Sequence, residues 1–193
     1  MGIKSFGTKL HAEDTLVIPN DSGKGLQLGR FAETADFGWR DITSAIEVRG
    51  VRATDPTWEQ IGTSSHFGYN FGIDDVVWMT FHIPHDILPG SDIHFHMHWF
   101  PSGTNVQPVK WQFEYAYAKG FNQAAFDFEL AESPLTNAGI ATAQSAGPGV
   151  QYQHMVTETD AITIPGLTEP DGLIHTTISR ITNGGTENTD GIF

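Results

Sequence analysis

The chain has 193 residues, with 23 acidic against 10 basic side chains and no cysteine. That length fits one domain with at most a small appendage. A net charge of -13 argues against nucleic-acid and anionic-membrane partners, and the lack of cysteine excludes disulfides, thiolate nucleophiles and Cys-ligated zinc.

The first 35 residues lack clear periodicity and are predicted to form an extended N-terminal arm. Its apolar side chains are candidates for an assembly interface with neighbouring subunits. They are Phe6, Leu10, Leu16, Ile18, Leu26, Leu28 and Phe31.

Residues 36–193 are predicted to form a single all-β domain, because glycine (21) and proline (10) are frequent and apolar residues alternate in short runs. Predicted strands cover 45–48, 76–83, 92–100, 109–118, 126–130, 151–159, 161–164 and 173–181. The stretch 76–83 is apolar on both faces and is predicted to be central in its sheet. The stretch 138–150, rich in small residues, is predicted to be loop.

Strands at this spacing predict an antiparallel, jelly-roll-like β-sandwich. Ile192 and Phe193 look like the start of one more strand, so we expect the domain to lack its last strand. The predicted core consists of Val76, Trp78, Phe81, Phe95, Met97, Trp99, Trp111, Phe113, Tyr115 and Tyr117.

A row of histidines is the most informative pattern. His94, His96 and His98 alternate with apolar residues, which places the three imidazoles on one strand face, roughly 7 Å apart. We expect the next strand to pair with this one as a hairpin, which puts Glu114 across from His94 or His96. Three imidazoles and a carboxylate suit a transition-metal ion such as Zn, Fe, Mn or Ni.

Two other interpretations of the row stay open. The imidazoles could make cross-strand hydrogen bonds to Gln, Glu or backbone groups, as buried polar side chains usually do. Alternatively, the row could line the axis of a trimer, where three chains stack their rings or share one ion.

The same stretch is similar to the first motif of the cupin family. Gly90, His96 and His98 match that motif, but Ser102 or Gly103 stands where it has Glu. A second, weaker match runs through Pro170, Gly172 and His175, with Ser179 in place of Asn. This resemblance implies a metal-dependent enzyme that uses the histidine row.

A set of longer stretches extends over most of the chain: 36–42, 55–58, 81–86, 90–99, 109–115, 152–156 and 181–185. Together they resemble a family of virion structural proteins of tailed bacteriophages. The resemblance implies a non-enzymatic capsid decoration or cement protein, or a component of the tail or fibre base. It further implies a virion location, a homotrimer, and contacts with the major capsid protein or tail proteins.

A further hypothesis for the function of the protein is a carbohydrate-binding virion module. Trp58, Tyr69 and Phe71 are predicted to be exposed on loops, where aromatic rings could stack on sugars.

Overall fold

The computed structural model describes residues 42–48, 55–84, 91–118, 138–163 and 172–193. The predicted arm, with its apolar side chains from Phe6 to Phe31, lies outside the described residues. So does the strand predicted over 126–130, and both stay predictions.

The described residues form antiparallel strands and no helix, which confirms the all-β class. The strands are β1 (Thr57–Gln60), β2 (Phe67–Asn70), β3 (Val76–His82), β4 (His96–Trp99), β5 (Val109–Ala118), β6 (Ala138–Ser145), β7 (Met155–Glu158) and β8 (Leu173–Ile181). Within these ranges, no helix could span a bilayer.

The largest sheet has the strand order β3-β8-β5-β6. Along β5, Val109, Trp111, Phe113 and Tyr117 are fully buried, whereas the residues between the first three remain half-exposed. This is the alternation that the sequence predicts, and it assigns the odd-numbered side chains of β5 to the inner face of the sheet.

Strand β6 corrects the prediction of a loop over 138–150. Its small residues lie opposite the large rings of β5, with Gly139 paired to Tyr115 and Ala143 paired to Trp111. A Cβ atom on Gly139 would lie 2.8 Å from the Tyr115 hydroxyl. The composition that resembles a loop therefore makes room for aromatic side chains within a sheet.

One prediction about β3 is wrong, the burial of Trp78 in the core, whereas its central position in the sheet stays a prediction. Among the described residues, β3 pairs with β8 along one edge, and its other edge carries a bridge between Trp78 and Glu47. Trp78 points to the outer face and is half-buried beside that bridge, whereas Val77 and Phe81 face the core. A strand that is apolar on both faces does not reveal which face packs inward.

Strands β4 and β7 form a two-stranded sheet whose inner face packs on the four-stranded sheet. The Phe95 ring lies 5.3 Å from the Phe113 ring and 5.4 Å from the Tyr115 ring, centroid to centroid. Met97 and Trp99 are buried in the same cluster. The two sheets thus face each other across one core, as the layers of a β-sandwich do.

The predicted hairpin between 92–100 and 109–118 is wrong. Strand β4 pairs with β7, and β5 pairs with β6 and β8. Residues 101–108 instead carry the chain from one sheet to the other. The apolar sides of β4 and β5 meet face to face rather than edge to edge.

The last residues pair with the segment after β4. Phe100 and Phe193 exchange backbone hydrogen bonds of 2.9 and 3.0 Å, and their rings stack at 5.6 Å. Ile192 is fully buried, bridges to Pro101 and accepts a hydrogen bond from the Phe71 amide at 2.8 Å. This is the strand-like pairing that the apolar ending of the sequence predicts.

Candidate functional site

The outward face of the β4–β7 sheet gathers histidines from two strands that are distant in sequence. We call it the histidine face; its members are His94, His96, His98, His154, Val156 and Glu158. The first three are the predicted row, and the last three come from β7 and the residue just before it.

The inner side of the same sheet determines which residues point outward. The Trp99 indole donates to the Thr157 hydroxyl at 2.8 Å, and the Phe95 amide donates to the Thr159 hydroxyl at 3.1 Å. These bonds fix the register of β4 against β7. Because side chains alternate along a strand, the even-numbered histidines must then lie on the outer face.

His94 and His96 share one carboxylate. His94 Nδ1 donates to the Thr159 carbonyl at 3.0 Å, since a carbonyl oxygen can only accept. The two oxygens of Glu158 lie 3.6 Å from His94 Nδ1 and 3.7 Å from His96 Nδ1. At the end of the face that holds His94 and His96, the contacts are therefore those that the cross-strand hydrogen-bonding interpretation predicts.

His98 and His154 form the closest side-chain pair on the face. His98 Nδ1 lies 2.8 Å from His154 Nε2, and the rings are nearly parallel, with 17° between their planes and 5.0 Å between their centroids. One of the two nitrogens donates and the other accepts, so at least one ring is neutral when this bond forms. The His96 ring stands edge-on to His98, again at 5.0 Å.

Beyond His98 the face ends in aromatic rings. Phe100 stacks on Phe193 and lies edge-on to Tyr152, with 6.2 Å between the centroids of Phe100 and Tyr152. Tyr152 is exposed, as is Val156 between the two ends. The outer surface of this sheet thus runs from imidazoles to apolar and aromatic groups.

Charged side chains are sparse on this surface. Residues 94–100 and 152–158 include one carboxylate, Glu158, and no lysine or arginine, in a chain with 23 acidic side chains. The exposed carboxylates of Asp92 and Asp160 follow only beyond the Glu158 end. The histidine face is therefore a weakly charged area on a strongly acidic protein.

Glu114 does not reach the histidines. It points to the outer face of the four-stranded sheet, where its carboxylate accepts a hydrogen bond from Gln112 at 2.9 Å. The two facing layers, about 10 Å apart, separate Glu114 from the histidine face. The prediction that Glu114 lies across from the row is wrong because it assumes a hairpin between 92–100 and 109–118, which does not form.

The two cupin-like matches do not converge either. His175 lies on the outer face of the four-stranded sheet, bonded to Thr80 at 2.9 Å, and so on the opposite side of the core from His96 and His98. Gly90 and the Pro170 position lie outside the described residues. Among those the structure describes, no three His, Asp or Glu side chains converge as ligands of one ion.

The sequence pattern does not assign His154 and Glu158 to the site. Its signal for them is the alternation of His154, Val156 and Glu158 with Met155 and Thr157. That alternation predicts a shared face but not the partner strand. Pairing β7 with β4 requires contacts between residues more than fifty positions apart.

A second surface consists of exposed aromatic rings on the β1–β2 hairpin. Trp58 is 58% exposed and Phe67 51% exposed, and their rings stack at 6.3 Å. Tyr69 lies edge-on to Trp58 at 4.7 Å. Phe71, predicted to be exposed, is instead buried against Trp111, so it belongs to the core.

Comparison of the chain with protein-family models, with curated proteins and with solved structures finds no match.

Proposed function

We propose that the protein is a non-enzymatic structural component of a tailed-phage particle, either a capsid decoration or cement protein or a part of the tail or fibre base. It acts by binding other subunits within the virion, which is assembled in the host cytoplasm. The resemblance over residues 35–193 supports this class. A jelly-roll-like connection of the two sheets belongs to the same proposal and rests on the strand spacing in sequence.

The single observation that carries the assembly role is the composition of the histidine face. The buried centres of protein interfaces are depleted in charged groups and enriched in aromatic ones. This face presents imidazoles, Val156 and Tyr152 with Glu158 as the carboxylate at one end. Such a surface suits contact with another protein better than permanent exposure to water.

The occupant of the face is a second copy of the chain, in a homotrimer. Two chains with a net charge of -13 each repel one another over most of their surfaces. Their repulsion is small at the histidine face, where Glu158 is the one carboxylate within residues 94–100 and 152–158. The arm over 1–35 adds contacts with other particle proteins, such as the major capsid protein or tail proteins, by ordering on assembly.

Light scattering and mass photometry on the purified chain test the assembly surface. Val156 is 45% exposed at the middle of the face, and Ile140 is 57% exposed on the outer face of the other sheet. We expect a trimer for the natural chain and for Ile140→Arg, and a monomer for Val156→Arg. A monomeric natural chain at micromolar concentration, or equal behaviour of the two variants, would contradict the proposal.

The virion location has its own test. Particles produced by the genome that encodes this chain should contain it in fixed proportion to the major capsid protein, by quantitative mass spectrometry. Recovery of the chain only in the soluble fraction of the lysate would argue against a structural role.

The exposed hairpin favours a second candidate, a carbohydrate-binding virion module. Trp58 and Phe67 offer two nearly parallel rings, 18° apart, on one face of the hairpin. Glycan-array binding that Trp58→Ala abolishes would support this role. An array without signal for the natural chain would reject it.

A further inference from the structure

We infer that His98 and His154 form a two-histidine chelate for a divalent transition-metal ion of the zinc, nickel and copper class. The inference concerns a cross-strand pair rather than the row along β4, and it does not depend on the assembly role. Imidazole nitrogen is a preferred ligand of these ions.

The distance between the two nitrogens carries the inference. Nitrogens that bind one ion at about 2.0–2.1 Å lie roughly 2.9–3.4 Å apart in right-angled to tetrahedral geometry. His98 Nδ1 and His154 Nε2 are 2.8 Å apart. An opening of a few tenths of an ångström therefore gives a chelating separation.

The orientation of the rings sets what must change on binding. Nearly coplanar rings joined by a hydrogen bond point their nitrogens at each other. Each ring has to turn about its Cβ–Cγ bond so that both lone pairs point at the ion. Both side chains are exposed, so the turn does not disturb the core. The ring that donates the hydrogen bond in the pair then carries its proton on its other nitrogen, so both imidazoles stay neutral.

The neighbouring histidines take other roles. His94 Nδ1 is engaged by the Thr159 carbonyl, and His96 Nδ1 faces Glu158. Because no three donors converge among the described residues, water fills the remaining positions around the ion in a single chain. The pair lies toward the aromatic end of the histidine face, and the ring centroids of His98 and His96 are 5.0 Å apart.

Equilibrium dialysis of the untagged full chain against Zn²⁺, Ni²⁺ or Cu²⁺ alone, at neutral pH, tests the site. We expect binding of one ion per chain, weakened in His98→Gln and in His154→Gln by more than the roughly tenfold to hundredfold typical of outer-shell changes. His96→Gln and His66→Gln should keep the affinity of the natural chain. For Cu²⁺, the visible absorption of the bound ion should disappear in the same two variants.

Two results would overturn the inference. The first is no binding by the natural chain, and the second is binding that survives His154→Gln. If that surviving binding is lost in His96→Gln, the ion belongs to the row along β4. Each dialysis sample is also measured by light scattering with a chelator present. A trimer that persists without metal leaves the assembly role intact whatever the dialysis shows.

Discussion

The indole of Trp99 and the hydroxyl of Thr157 join the two strands beneath the histidine face. Trp99 Nε1 donates to Thr157 Oγ1 at 2.8 Å, and Ser145 Oγ on β6 lies 2.5 Å from the same oxygen. Both Trp99 and Thr157 are buried. This small polar network ties β4 and β7 to the edge of the four-stranded sheet, and so fixes the platform that presents the histidines.

Thr157→Val should destabilise the fold by about 1–3 kcal/mol, because it leaves the buried indole N–H without its acceptor. Urea denaturation gives the free energy of unfolding. The matched control is Thr142→Val on the exposed face of β6, which should change stability by no more than about 0.5 kcal/mol. Equal effects of the two variants would show that the Trp99 hydrogen bond contributes nothing.

Gly147→Ala should also be destabilising, by about 1–3 kcal/mol, because the site has no room for a side chain. A Cβ atom at Gly147 would overlap the carbonyl oxygen of Asn105 and approach Asn188 Nδ2 at 2.7 Å. Backbone oxygens cannot move aside as a flexible side chain can. Gly185→Ala is the control, since its Cβ would meet only the Asn183 side chain, at 3.3 Å. Thermal unfolding of both variants makes the comparison, and a Gly147→Ala melting temperature equal to that of the control would refute the steric argument.

The parts of the fold that alternation determines were predictable from the sequence. The inward side chains of β5 and of the stretch from Phe95 to Trp99 follow directly from period two. The sequence of strand β6 resembles a loop because its pattern reflects the partner strand: Ala143 is small since Trp111 is large. Composition alone cannot separate such a strand from a loop.

The candidate site was predictable only in part, for a similar reason. The shared direction of His94, His96 and His98 is a local property of one strand. The closeness of His98 to His154 depends on which strand lies beside β4, and the sequence suggested the following strand instead. Long-range pairing has no local signal, so the sequence predicts Glu114 at the site and does not predict His154.

Deleting residues 1–30 should leave the β-domain folded while abolishing its attachment to phage particles. The proposed role assigns particle contacts to the arm, and the core cluster that the structure describes is built from residues between Val48 and Ile192. Circular dichroism and urea denaturation check the fold, and co-sedimentation with particles lacking the protein checks attachment. Attachment at the level of the full chain would contradict the anchoring role of the arm.

Glu187→Gln should reduce stability at neutral pH and flatten its dependence on acid. Hydrogen bonds from the Thr182 hydroxyl and the Asn183 amide hold the pKa of the Glu187 carboxyl below its ordinary value of 4.5. A carboxyl whose pKa is lower in the folded state contributes stability that is present above the unfolded pKa. That contribution is lost as pH falls from about 4.5 toward the folded pKa. Urea midpoints measured across this range test the sign.

Thr182→Val is the matching variant for Glu187, because it removes the principal donor and keeps the carboxylate. It should flatten the acid dependence in the same direction. The double variant should lose less stability than the sum of the two single losses, since both single variants remove the same hydrogen bond between Thr182 and Glu187. If the stability losses of the two single variants add fully in the double variant, other groups cause the acid dependence of stability. The same holds if Glu187→Gln leaves the slope of stability against pH unchanged.

Arg180→Lys should destabilise the fold by about 1.5–3 kcal/mol, because a lysine cannot replace both arms of the guanidinium. Arg180 is 4% exposed and donates at 2.6 Å to the carbonyls of Phe71 and Asn188. Burial lowers the pKa of the guanidinium, while the carboxylates of Glu187 and Asp75 act in the opposite direction. The guanidinium of Arg180 thus binds the loops of Phe71 and Asn188 at the same time, and the ammonium of a lysine cannot reach both carbonyls.

Hydrogen exchange at the amide of Phe71 tests the Arg180→Lys prediction locally. This amide donates to the Ile192 carbonyl at 2.8 Å, next to one of the two loops that Arg180 holds. In Arg180→Lys its hydrogen exchange should quicken more than that of amides in β5, because the loop opens without the whole sheet unfolding. Lys110→Arg, the reverse exchange on the outer face of β5, should change neither stability nor exchange. Equal acceleration at Phe71 and throughout β5 would mean that Arg180 supports the whole core rather than the loops.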